Sequence, residues 1–144
     1  METDTVRHMG KENCGMADPK SGSSLGMEDN LKKAVTEMVV LSLLSQEDMY
    51  ANQIMQMMEE RSGGAVSIVF PYSALYRLIK AGYIWEAYKK NAPDGRRRQY
   101  YQITDKGKEH LEGLLEVYQR FTGGVDVLLQ GGKKIKWIKP QNVI

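Results

Sequence analysis

Residues 71–84 read Pro-Tyr-Ser-Ala-Leu-Tyr-Arg-Leu-Ile-Lys-Ala-Gly-Tyr-Ile, and the fold turns on how they are read. Pro71, with its fixed φ, suits the first turn of a helix. Tyr72, Leu75, Leu78 and Ile79 recur at helical spacing as its apolar side, and Gly82 ends it. Ser73, Tyr76, Arg77 and Lys80 are left on the other face, polar and basic. Tyr83 to Lys89 then carries aromatic and β-branched residues, Asn91-Ala92-Pro93-Asp94-Gly95 is dense in turn chemistry, and Arg97 to Thr104 again favours strand. A β-hairpin therefore comes after the helix, with Lys89, Lys90, Arg96, Arg97 and Arg98 around its tip.

Upstream, apolar positions recur from Leu31 through Ala34, Val35, Met38 and Val39, and Val40, Leu43 and Leu44 widen the stripe, which describes a helix buried on most of its surface. Ser45 to Met49 interrupts it, with Ser45 or Asp48 as a cap for the next helix. Tyr50, Ile54, Met57, Met58 and Arg61 share one face of that second helix, which Ser62, Gly63 and Gly64 terminate. Met55, Met57 and Met58 read as adaptable core rather than a ligand box. Downstream, Thr104 or Asp105 caps a fourth helix with apolar residues at Leu111, Leu114, Leu115, Tyr118, Phe121, Val125 and Leu128. That stripe is long for one small domain to cover, so a partner helix is implied. Gly123 and Gly124 weaken it locally or admit another backbone.

The 144 residues leave room for one domain with tails. Residues 1–27 lack helical or alternating period and read as a disordered leader without the pattern of a secretory signal. Residues 28–104 form the domain, 105–130 the long helix, and 131–144 a tail with Lys133, Lys134, Lys136 and Lys139 and no acidic residue. No apolar run is long enough for a membrane span. Cys14 is the only cysteine, which excludes a disulfide scaffold and favours a cytoplasmic setting.

The net charge of +2 hides a segregation. Residues 69–101 hold seven basic and two acidic side chains, whereas 28–68 hold three basic and seven acidic ones. A basic segment on an otherwise acidic body points to a polyanion. Catalytic patterns are missing: there is no phosphate-cradling glycine loop or serine elbow, and His8 and His110 are too far apart to suggest a metal pair. His110 reads as a plain surface residue, and Glu59 with Glu60, being consecutive, do not share a helix face. The expectation is a protein that is not an enzyme and needs no cofactor or metal.

Two helices joined by a short connection, the second presenting polar side chains outward, is the arrangement that places a recognition helix in the DNA major groove. The hairpin after it is a wing, suited to phosphates or to the flanking minor groove. The fold class is mostly α with a small β-hairpin wing, a winged helix-turn-helix extended by a long C-terminal helix.

In Met58-Glu-Glu-Arg-Ser-Gly-Gly64, in the run 72–84, in Gly95 with Arg98, and in Tyr100-Tyr-Gln-Ile-Thr-Asp-Lys-Gly107, the chain resembles the PadR-like transcriptional regulators, over roughly Leu31 to Gly131. The resemblance implies a homodimer joined through the C-terminal helix, acting as a repressor on a pseudo-palindromic double-stranded DNA operator. It puts Tyr72, Ser73, Tyr76 and Arg77 at the DNA face and Arg98 in support of the wing. Relatives usually place proline after the tyrosine that opens the recognition helix, where this chain has Ser73, and Gly-Tyr where it has Ala51-Asn52. Some relatives bind a flat aromatic effector with a tryptophan of the last helix. Here Trp85 falls in the wing strand and Trp137 in the tail, so a small-molecule effector stays an open element. The alternative is a winged-helix protein-interaction module, with Tyr76 and Trp85 as anchors.

Overall fold

The computed structural model describes residues 23–68 and 71–131. In chain order the elements are α1 (Ser24–Gln46), β1 (Met49–Tyr50), α2 (Ala51–Arg61), α3 (Tyr72–Lys80), β2 (Ile84–Asn91), β3 (Arg97–Ile103) and α4 (Asp105–Gln130). The described residues divide into two compact units, with the boundary between Val35 and Thr36 inside α1.

In the first unit, α1 opens earlier than the hydrophobic period predicts. Ser23 Oγ accepts the Gly26 N–H at 3.1 Å and its carbonyl accepts the Met27 N–H at 3.0 Å, so Ser23 caps the helix. Residues 24–27, expected within the disordered leader, are helical, while residues 1–22 lie outside the described residues. Lys32 Nζ sits 3.8 Å from Glu28 Oε2, one turn apart on the same face.

The second unit has one core. Val40, Leu41, Leu43 and Leu44 of α1 meet Ile54 and Met58 of α2, Leu75 and Leu78 of α3, Ile84 of β2, Tyr101 and Ile103 of β3, and Leu111 of α4. Val40, Leu41, Met49 and Ile54 are wholly excluded from solvent, each burial being worth about 1.5–3 kcal/mol for a large apolar side chain. The widened stripe of α1 is thus explained by neighbours on several sides. Of the methionines singled out in α2, Met58 is in this core and Met57 packs against it.

The sheet is antiparallel in the order β1-β3-β2. β1 pairs Met49 with Tyr101 and Tyr50 with Tyr100, an element that hydrophobic period does not reveal. Tyr50 therefore belongs to a strand and to the cap of α2 rather than to that helix's apolar face. Its N–H donates to Gln53 Oε1 at 3.4 Å, the role expected of Ser45 or Asp48. Ser45 lies inside α1 and donates to the Ser42 carbonyl at 2.6 Å. β2 and β3 pair from Ile84–Ile103 to Asn91–Arg97, with a bulge between Glu86 and Tyr88.

The start of α4 is clamped onto the turn between α3 and β2. Thr104 accepts the Gly107 N–H at 2.9 Å with its hydroxyl and donates that hydroxyl to the Gly82 carbonyl at 2.8 Å, while Lys106 Nζ donates to the Ala81 carbonyl at 2.9 Å. Gly107 is obligatory, since a Cβ there would run into the Tyr83 carbonyl oxygen. His110, expected to be a plain surface residue, stacks on the Tyr83 ring with centroids 3.9 Å apart. α4 continues unbroken through Gly123 and Gly124 to Gly131, a left-handed cap whose N–H donates to the Val127 carbonyl at 3.0 Å.

Candidate nucleic-acid interface

α3 is short, and its packing settles which side chains it offers outward. Ala74, Leu75 and Leu78 are buried, and Ser73, Tyr76, Arg77 and Lys80 are exposed. Tyr72, assigned by period to the apolar side, is exposed with them, because it stands one turn before Tyr76 on the exposed face while Ala74, Leu75 and Leu78 take the buried one. The structure brings these five residues onto one helix face. Lys80 Nζ lies 5.5 Å from the centre of the Tyr76 ring, so the cation covers the aromatic face while remaining solvated. Arg77 Nε donates to Glu37 Oε2 of α1 at 2.5 Å, a contact across the sequence that no local pattern announces.

The hairpin tip is held by short-range polar contacts. Ala92 and Arg96 close the turn with an N–H to carbonyl bond of 2.8 Å, and Gly95 takes a φ of +85°, a conformation that glycine reaches without strain. Asp94 accepts the Arg96 N–H at 3.0 Å and Arg98 Nη2 at 2.7 Å. These contacts hold its carboxyl below the usual carboxylate range, with the Arg98 hydrogen bond as the larger cause. The guanidinium of Arg98 lies 5.1 Å from the centre of the Tyr50 ring. Arg98 is therefore the inner brace of the wing, half-buried between Asp94 and Tyr50, rather than a cation at the tip. Lys90 is partly drawn in as well, its Nζ 4.8 Å from the centre of Tyr100 and 5.7 Å from that of Tyr88. Lys89, Arg96 and Arg97 are exposed, and among the described residues their side chains have no carboxylate partner.

Behind the tip, Asp48 organises a polar cluster that the sequence pattern does not announce. Its Oδ2 accepts the Tyr88 hydroxyl at 2.6 Å and Gln102 Nε2 at 3.3 Å, and Gln102 Oε1 accepts the Trp85 indole N–H at 2.9 Å. The Asp48 hydrogen bond pushes the Tyr88 phenol up to about 12, with desolvation and Coulomb repulsion adding in the same direction. Tyr50, Tyr100 and Tyr88 form an aromatic row, with both centroid separations 5.3 Å.

The first turn of α2, the start of α3 and the central strand β3 border one cleft of about 190 Å³, lined by Tyr50, Asn52, Tyr72, Arg97 and Arg98 among others. A helix N-terminus, three tyrosines and two guanidiniums around one opening suit an anionic backbone. The expected residues of α4 split in two. Leu111 is in the chain's own core and Leu114 packs partly against it, so Leu111 is not offered to a second copy. Leu115, Tyr118, Phe121 and Leu128 are exposed and Val125 is half-buried. Among the described residues no three His, Cys, Asp or Glu are grouped to hold a metal ion, and no helix is long and apolar enough to cross a membrane.

A helix-turn-helix followed by a basic, three-stranded wing defines a winged-helix protein. The family model of PadR-like transcriptional regulators matches residues 40–113, and the chain belongs to that family. It is similar to the crystal structure of a PadR-like transcriptional regulator from Bacillus cereus, at 33% identity over 70% of this chain and 97% of that one, with a TM-score of 0.61. A PadR family regulator from Eggerthella lenta, at 23% identity, shares the fold over 83% of this chain and all of that one, with a TM-score of 0.63. An uncharacterised protein of Lysinibacillus sphaericus is 30% identical over 95 residues, 65% of this chain and 86% of the relative. The family is one of transcriptional regulators, which are generally not enzymes.

Proposed function

We propose that this chain is a homodimeric, sequence-specific repressor that acts in the cytoplasm on a pseudo-palindromic operator. In this reading residues 28–104 bind DNA, 105–130 join the dimer and 131–144 form a basic tail. The observation that carries it is the single exposed face of α3, with Ser73, Tyr76, Arg77 and Lys80 outward, beside a wing whose Lys89, Arg96 and Arg97 are uncommitted. α3 enters the major groove, where Ser73, Tyr76 and Arg77 lie near base edges, Lys80 points toward phosphate and Tyr72 stands at the same DNA face. Lys89, Lys90, Arg96 and Arg97 neutralise phosphates, and Arg98 holds the turn that presents them.

The dimer rests on α4, where Phe121 is 67% and Leu128 79% exposed in the single chain. Large apolar side chains clustered along one exposed helix mark an interaction surface. A two-fold pair of winged domains would set its recognition helices about one DNA turn apart, ~34 Å. A small-molecule effector enters the proposal only through the family resemblance. Titration of random duplex DNA at low and moderate salt tests the reading. Binding that weakens steeply with salt supports it, and no binding at low salt would leave the protein-docking alternative in its place.

A further inference from the structure

Arg77 is held by only one of its guanidinium nitrogens. Its Nε donates to Glu37 Oε2 at 2.5 Å, while Nη1 and Nη2 make no hydrogen bond among the described residues. The pair is surface-accessible, the Arg77 side chain 57% and that of Glu37 35% exposed, and it sits on the face of α3 assigned to DNA. Nη1 and Nη2 form the end-on edge of the guanidinium, two parallel donors that match O6 and N7 of guanine. A carboxylate on Nε leaves that edge free and restricts rotation of the plane that carries it. Arginine is otherwise a long, rotamer-rich side chain, and fixing its plane before contact removes ordering that binding must supply.

We propose that Glu37 is a positioning residue for base reading, which orients Arg77 toward one guanine in each half-site. The inference rests on the DNA-reading role proposed for α3. It assigns a part in specificity to α1 through the contact of Glu37 with Arg77. Charge and geometry act in opposite directions here: the Glu37 carboxylate repels phosphates of every sequence, while its hydrogen bond sharpens the choice of one base. A residue that merely supported the fold would lower all affinities together. A residue that merely competed with DNA for Arg77 would blunt the preference, which would then sharpen on its removal.

The test is competition binding of duplexes substituted in turn at each half-site position, with the full-length chain and the variants E37A, E37Q, R77A and E37A/R77A, each checked for unchanged thermal unfolding. E37A is expected to relax preference by about two- to five-fold, the range for an exposed ion pair, at the same base position as R77A. It should also leave non-specific affinity equal or higher. E37Q, whose amide oxygen still accepts from Nε, should keep the preference, and the double variant should match R77A. Full preference in E37A, sharpened preference in E37A, or relaxation at a position that R77A does not affect would each overturn the proposal. A wild-type chain without any base preference would overturn the DNA-reading role itself, a result distinct from those three.

Discussion

The hydroxyl of Tyr88 donates to Asp48 Oδ2 at 2.6 Å, tying the wing strand β2 to the residue that precedes β1. The bond favours the neutral phenol in the folded state, raising it from its ordinary 10.0 to about 12. A group whose folded value is raised adds stability that is fully present below the unfolded value and is lost as pH climbs through the folded one. The contribution of Tyr88 therefore fades between about 10 and 12. In a spectrophotometric titration Tyr88 and Tyr101, whose phenol is raised by burial, should ionise late, and the Tyr88 transition should disappear in Y88F and return toward its ordinary value in D48N. A Y88F titration with as many late tyrosines as the wild type would refute the assignment.

Gly107 and Gly113 lie on the same helix, yet substitution by alanine should move stability in opposite directions. At Gly107 the new Cβ meets the Tyr83 carbonyl oxygen, and backbone on both sides must shift. Such overpacking costs about 1–3 kcal/mol or more. At Gly113 nothing lies within 4 Å, and replacing an exposed helical glycine gains roughly 0.8–1 kcal/mol. Chemical denaturation of both variants measures the contrast, and a G107A chain as stable as the wild type would contradict the clamp.

The three consecutive arginines of the wing should behave differently. Arg96 and Arg97 have no carboxylate partner among the described residues, so R96A/R97A should flatten the salt dependence of DNA binding, by roughly 0.9 in log-log slope for each phosphate no longer neutralised. Arg98 is committed to Asp94 and Tyr50, so R98A should loosen the turn and lower thermal stability. Equal effects of all three on the salt slope, with no change in stability, would place Arg98 at the tip instead of behind it.

For α4 the expected interface is Leu115, Tyr118, Phe121 and Leu128, without Leu111, which the chain's own core absorbs. F121E places a charge on a side chain that is exposed in the single chain, so the fold of the monomer should survive while the dimer does not. Sedimentation at micromolar concentration should show a dimer for the wild type and a monomer for F121E. A dimer in both would move the interface elsewhere.

Much of this architecture is legible in the sequence because its parts are periodic or locally coded. The buried face of α3, the turn chemistry at 91–95 and the Thr104 cap of α4 each declare themselves within a few residues. Short elements and distant pairs escape. β1 has two residues, too few to show a period, so Tyr50 looks like part of the helix after it. Ser23 caps α1 ahead of a glycine, where no apolar stripe has begun. Glu37 and Arg77 stand 40 positions apart, as do Asp48 and Tyr88, and only the packing of α1, α3 and the sheet brings them together. The basic wing is readable as charge. Its division into outward Arg96 and Arg97 and inward Arg98 depends on strand register and on Asp94.

Sequence-specific reading by paired recognition helices can be tested by selection from a pool of random duplex DNA at moderate salt, with repeated capture on the full-length protein. Enrichment of one motif with two inverted half-sites is expected, their centres about one helical turn apart, together with loss of a single base preference in each half-site when R77A replaces the wild type. A pool that gains in bound fraction without converging on any sequence, or that converges on a single unpaired site, would contradict a two-fold DNA reader.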